Sequence, residues 1–152
     1  MEVLLFTVGK QCCALPLGDV AEVMRAQPLS SHGMLTAGVL GTAIIRGQAT
    51  PVVDAGQLLC GERAQGGRLV LLRVGSRRVA LAVDSVLGTT PSTERQLDAA
   101  PALLTGNKPV IERIGVLDSE LVHVLSAVRV MAECDASHED PKQRDAPTAA
   151  DR

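Results

Sequence analysis

Four cysteines and three histidines are the side chains of this sequence best suited to nucleophilic attack, metal ligation or proton transfer. Cys12 and Cys13 are adjacent, while Cys60 and Cys134 stand alone, so no C-x-x-C pair offers two thiolates to one metal ion. Successive side chains of an extended segment point to opposite faces, so Cys12 and Cys13 cannot form one site, and Cys13 is expected to face the core. An activated thiol needs a cation or a helix N-terminus beside it, and the sequence supplies neither around these two. His123 alternates within the apolar run 121–125, which aims it at solvent, and no Asp, Ser or Cys partner for it is identifiable. The expectation is ordinary reduced thiols, with no catalytic centre, no metal site and no cofactor.

Arg46 is the residue better suited to recognition than to reaction. Its guanidinium can fork onto a carboxylate while its stem covers apolar surface. The competing reading is a solvent-facing charge at the end of a strand. Gly41 and Gly47 bracket it and are expected to supply a bulge or turn that other residues adopt only at a cost. Asp54 and Asp84 each follow an apolar strand, where capping or turn formation is the expected role.

The elements that must position these residues follow from the apolar pattern. Leu4–Val8 and Gln11–Leu17 read as a hairpin around Gly9-Lys10. Gly18-Asp19 would then open a short helix capped by Asp19, burying Val20, Val23 and Met24. Pro28–Gly33 reads as a loop. Val39–Arg46 and Ala49–Val53 are strands either side of Gly47. Pro51 places the second of these at an edge or a bulge. Asp54 caps a short helix through Leu59. The polar stretch Gly61–Gly67 is a connector. Leu69–Val74 with Arg78–Val83, and Lys108–Leu117 with Leu121–Leu125, make two more hairpins, and Ser126 caps a last helix through Met131.

Composition narrows the function. Hydrophobic residues make up 46% of the 152, chiefly Val, Leu, Ile and Ala, and Phe6 is the sole aromatic. A net charge of -2 with no basic stripe argues against nucleic acid, and no base-stacking aromatics are present. No apolar run approaches the roughly 20 residues of a membrane span. The N-terminal apolar run lacks a basic region before it and breaks at Gly9-Lys10, so it reads as a strand and not as a signal peptide. The stretch 133–152 is rich in charge, Ala and Pro and is expected to be a disordered tail, leaving 1–132 as one domain.

That domain repeats internally. A shift of 66 residues lays Val8-Gly9 on Val74-Gly75 and Ala14-Leu15 on Ala80-Leu81. A shift of 72 lays Val52-Val53 on Val124-Leu125 and Leu58-Leu59 on Val130-Met131. Each half reads as a hairpin, then strands, then a capped short helix, which implies two similar β-lobes.

Three segments carry a family resemblance. They are Leu5-Phe6-Thr7-Val8-Gly9 with Ala14-Leu15-Pro16-Leu17; Val39-Leu40-Gly41-Thr42-Ala43-Ile44-Ile45-Arg46-Gly47 leading to Pro51-Val52-Val53-Asp54; and Val79–Val86 containing Val83-Asp84-Ser85-Val86. In this order and spacing the chain resembles the CheW family of chemosensory adaptors, whose signature is similar to G-x-x-N-L-R-G…P-V-x-D. The resemblance implies a mainly β fold, with two five-stranded SH3-like barrels packed together, short helices and no enzyme activity. It implies two partners, the cytoplasmic tip of a chemoreceptor and the regulatory domain of a CheA-type histidine kinase, and it extends to other CheW-like proteins. It places the protein in the cytoplasm without membrane insertion. The family's Asn is Ile44 here, which leaves open an accessory scaffold binding only one of the two partners. The partner-binding residues expected on this basis are Arg46, Val20, Glu22, Val23, Gly41 and Gly47. Val20 would anchor a receptor helix if it faces outward, and belongs to the core if it faces inward.

Overall fold

The computed structural model describes residues 2–30, 38–64, 67–91 and 109–134. Ten strands form two five-stranded antiparallel-rich sheets. In chain order they are β1 (Glu2–Val8), β2 (Gln11–Pro16), β3 (Val20–Arg25), β4 (Val39–Ile45), β5 (Gln48–Asp54), β6 (Arg68–Val74), β7 (Arg77–Val83), β8 (Ser85–Pro91), β9 (Ile111–Leu117) and β10 (Glu120–Leu125). A 3-10 turn occupies Leu17–Asp19, helix α1 is Ala55–Leu59, and a second helix, α2, covers 127–134.

The first sheet has the order β8-β1-β2-β10-β9 and the second β3-β6-β7-β5-β4. The repeat maps β1 onto β6, β2 onto β7, β3 onto β8, β4 onto β9 and β5 onto β10, so the two orders are the same. Each half of the chain does not, however, build its own sheet. The first sheet takes β1 and β2 from the first half and the other three strands from the second. The second sheet takes β3, β4 and β5 from the first half and β6 and β7 from the second. Even the parallel joints match: Ala14 partners Val124 and Ala80 partners Val52.

Three apolar clusters follow from this exchange. The largest joins the sheets, with Phe6, Cys13 and Leu15 of the first meeting Val70, Leu72 and Leu81 of the second. The opposite face of the second sheet encloses Ala43, Ile45, Val52, Leu69, Leu71 and Ala80. That of the first encloses Val3, Ala14, Val122 and Val124. Alternation along each strand therefore feeds two cores, and each sheet curls around its own small cluster.

Several expectations need correction. Residues 20–25 are a strand, not a helix. Their burial alternates with period two, β3 pairs antiparallel with β6, and Asp19 closes the 3-10 turn instead of capping a helix. A six-residue segment with three β-branched or long apolar side chains has both periods latent in it, and pairing with β6 selects the shorter. β5 is an inner strand despite Pro51; its parallel ladder with β7 starts at Val52, so the missing proline N–H falls outside that ladder. The bulge lies instead in β4, between Val39 and Gly41. Strand β8, which pairs with β1, was not anticipated. The last helix runs three residues past Met131, and β9 begins at Ile111, with Lys108 outside the described residues. The expected tail also lies outside them, apart from 133 and 134, which are helical.

Candidate docking site

The β4–β5 connection is a two-residue turn in which Arg46 (φ 53°) and Gly47 (φ 77°) are both left-handed. That is the type I′ geometry which suits the twist of a hairpin. Ile45, just before it, is buried in the second sheet's enclosed cluster. The turn therefore lifts Arg46 to the mouth of that barrel, where its side chain is 70% exposed.

Glu22 reaches the same mouth from the far edge of the sheet. In β3, Val20 faces Leu72 and Glu22 faces Leu71, leaving Ala21 as an extra residue. Without that bulge, alternation would put Glu22 on the same face as Val20. With it, Val20 packs on the inter-sheet cluster while Glu22 and Met24 turn toward the enclosed one. Arg46 then forks onto Glu22: Nε donates to Oε1 at 3.1 Å and Nη2 to Oε2 at 2.6 Å. The pair ties β3, one edge of the sheet, to the hairpin that carries the other edge. The hydrogen bond from Arg46 holds the Glu22 carboxyl below its ordinary range, helped by the charges of Arg46 and Arg78, and Glu22 in turn raises the Arg46 guanidinium. Arg78 adds a second cation: it donates to the Gln48 side-chain oxygen and to the Ile45 carbonyl at 3.4 Å.

The remaining predicted residues divide by role. Val20 is half-buried against the inter-sheet core, which settles its direction, and Val23 is exposed on the edge strand. Gly41 (φ 150°) is structural. A Cβ there would lie 2.7 Å from the Ser30 carbonyl oxygen, where residue 30 bridges to Thr42. Gly47 has open space around it and is required by its φ alone. Asp54 is buried and accepts from the N–H groups of Gly56 at 2.9 Å and Ala64 at 3.0 Å, so it caps α1 as expected and also pins the connector after it. Asp84 sits at the bend between β7 and β8, and its carboxylate accepts the Gly9 N–H at 2.5 Å, tying that bend to the first hairpin's turn.

Cys13 is buried as expected, and burial drives its thiol far upward; burial and then the charge of Glu120 raise Cys12. His123 does not point freely to solvent: it is half-buried, and its Nδ1 is enclosed without a hydrogen-bond partner. Among the described residues no group of three or more His, Cys, Asp or Glu is placed to hold a metal ion.

Ile44, singled out in the sequence only as the replacement for the family's Asn, is 65% exposed and lines a groove with Pro28, Leu29, Ser30 and Thr42. Its position between buried Ala43 and Ile45 carried the signal, because strict alternation forces it outward.

The chain therefore folds as two interlocked β-barrel lobes, the second of which carries the Glu22–Arg46 ion pair and the exposed side chain of Ile44. A family model for the CheW-like domain matches residues 2–134, and the chain belongs to that family. The fold is similar to the crystal structure of the scaffolding protein TtCheW from Thermoanaerobacter tengcongensis, with a TM-score of 0.73 over 82% of this chain and 87% of that one, at 19% identity. No curated protein matches the chain significantly. Among the described residues no helix is long and apolar enough to cross a membrane.

Proposed function

We propose that this CheW-like protein is a non-enzymatic cytoplasmic adaptor that couples the cytoplasmic tip of a chemoreceptor to a CheA-type histidine kinase. The observation that carries this reading is the rim at the β4–β5 turn, where Arg46 and Glu22 form a bidentate ion pair and the exposed side chain of Ile44 lies two residues before Arg46 on β4. Such a rim suits recognition of another protein, because a pre-set fork and an adjacent apolar contact lose little freedom on binding. Individual contacts can be modest where an array presents many at once.

Calorimetry with a receptor cytoplasmic fragment and with the kinase regulatory domain tests the proposal. Both should bind, and Arg46→Glu should weaken binding to one or both while the fold persists. Absence of binding to either partner would remove the reading.

A second reading is an accessory scaffold that engages one partner only. Ile44 favours it, because the family's polar Asn is here replaced by a solvent-facing aliphatic side chain. Under this reading one titration gives heat and the other none. Ile44→Asn then separates the readings: it should restore the silent partner if the substitution is what narrows the choice.

A further inference from the structure

The internal repeat pairs the interior of one barrel with that of the other, position by position. Residues of β1, β2 and β8 correspond to those of β6, β7 and β3 at a shift of 66, and residues of β9 and β10 to those of β4 and β5 at a shift of 72. The registers agree as well. Ala14 partners Val124 as Ala80 partners Val52, and the extra residue of the bulge is Glu112 in β9 and Leu40 in β4.

Three interior positions carry the same residue in both barrels: Leu5 and Leu71, Ala14 and Ala80, Val124 and Val52. Three others are smaller in the first. Val3 stands where the second barrel has Leu69, Gly115 where it has Ala43, and Thr90 where it has Met24. Leu40, which packs on the second barrel's cluster, has the exposed Glu112 as its counterpart. In the second barrel these side chains form one packed cluster. In the first they leave a cavity of about 30 Å³ between Val3, Thr90, Gly115, Val122 and Val124. The topology can fill this space, as the second barrel does, so the void belongs to the residues and not to the fold.

By volume the cavity could hold water, which needs about 10–15 Å³. A water also needs about two to four polar partners, and Thr90 is the one lining residue with a polar side-chain atom. Apolar walls that face a void forgo dispersion contacts, and an apolar guest restores them. Entry is lateral. Thr90 and Pro91 belong to edge strand β8, Gly115 and Leu117 to edge strand β9, and the two edges are not paired with each other among the described residues.

We propose that the first barrel is a binding site for a small uncharged apolar molecule, which passes between β8 and β9 and takes the place that the thioether end of Met24 and the longer side chain of Leu69 fill in the second barrel. The site lies inside a lobe and uses none of Glu22, Arg46 or Ile44, so it stands apart from the receptor and kinase assignment.

Xenon is the probe, because it is apolar and carries no hydrogen-bonding group. Methyl carbon–proton spectra of the purified full chain under rising xenon pressure should show saturable shifts at Val3, Val122 and Val124, and none at Val52, the counterpart of Val124. Thr90→Met and Val3→Leu each copy a residue of the second barrel into the first. Each should remove most of the xenon response and raise the denaturation midpoint, because the cavity is then occupied by the chain itself. Shifts that grow linearly and spread over both barrels would overturn the proposal. So would folded variants that keep the parent chain's saturable response, or a lowered midpoint in both, which would mean that the space is already filled.

Discussion

Glu22 and Arg46, 24 residues apart in sequence, meet through two hydrogen bonds of 3.1 and 2.6 Å across the mouth of the second barrel. The contact exists because two backbone irregularities aim at each other, the bulge at Ala21 and the left-handed turn at Arg46-Gly47. Its electrostatic consequence is measurable. A carboxyl whose folded pKa is depressed contributes stability above its unfolded value, about 4.3 for Glu, and loses that contribution as pH falls through the lower folded value. Carbon-13 titration of the Glu22 carboxyl should therefore show a midpoint below the ordinary glutamate value, and Arg46→Ala should return it toward that value. Because both groups are open to solvent, the same substitution should leave the melting temperature within a few degrees. An unshifted Glu22 would mean the pair does not persist in solution.

The two glycines of the signature segment should separate by mechanism. Gly47 needs only its positive φ, so Gly47→Ala should cost about 1–2 kcal/mol, and Gly47→Asn less, since Asn tolerates the left-handed region. Gly41→Ala should cost more than Gly47→Ala. Its Cβ would sit 2.7 Å from the Ser30 carbonyl oxygen, so the strap at residues 28–30 must move off β4. Chemical denaturation of the three variants gives the order, and equal losses at both alanine variants would contradict it.

Exchange of strands between halves predicts how the molecule unfolds. Phe6 is fully buried in the cluster shared by both sheets, and Phe6→Ala should cost about 3–5 kcal/mol. The loss should appear in one cooperative transition seen equally by probes on either sheet. Residues 1–64 expressed alone should not fold, because β3, β4 and β5 then lack β6 and β7, and β1 and β2 lack their three neighbours. Adding 67–152 should restore β structure by circular dichroism. An independently folded first half would mean that each half can form a sheet of its own.

That exchange also marks where sequence reading stops. Hairpins were legible because each is local: a period-two apolar run, a two-residue turn and a second run, as at Val8-Gly9-Lys10-Gln11. The repeat was legible for the same reason. Which hairpin pairs with which three strands is a long-range choice, and nothing in a single β-strand names its neighbour. β3 reads as a helix in the sequence because six residues hold too few apolar positions to distinguish a period of two from 3.6, and Val20, Val23 and Met24 fit the longer period. Arg46 and Glu22 could each be singled out from the signature and the charge pattern. Their meeting could not, because it depends on the bulge at Ala21. β8 was missed because Gly88, Thr89 and Thr90 carry little of the apolar signal that marks the other strands.

Thiol reactivity gives the last prediction, and it follows from depth and local charge. Cys60 is exposed at the end of α1, whereas Cys13 and Cys134 are buried. Cys12 lies between these extremes, its thiol raised by burial and by the charge of Glu120. The thiolate is the reactive species, so a neutral disulfide reagent near pH 8 should modify Cys60 first and Cys12 more slowly. Cys13 and Cys134 should react only when the protein unfolds. Glu120→Gln removes the neighbouring negative charge and should accelerate Cys12 without changing Cys60. Mass spectrometry of the time course assigns each site. If Cys12 keeps its rate in that variant, then the charge of Glu120 does not reach from the start of β10 to Cys12 on β2.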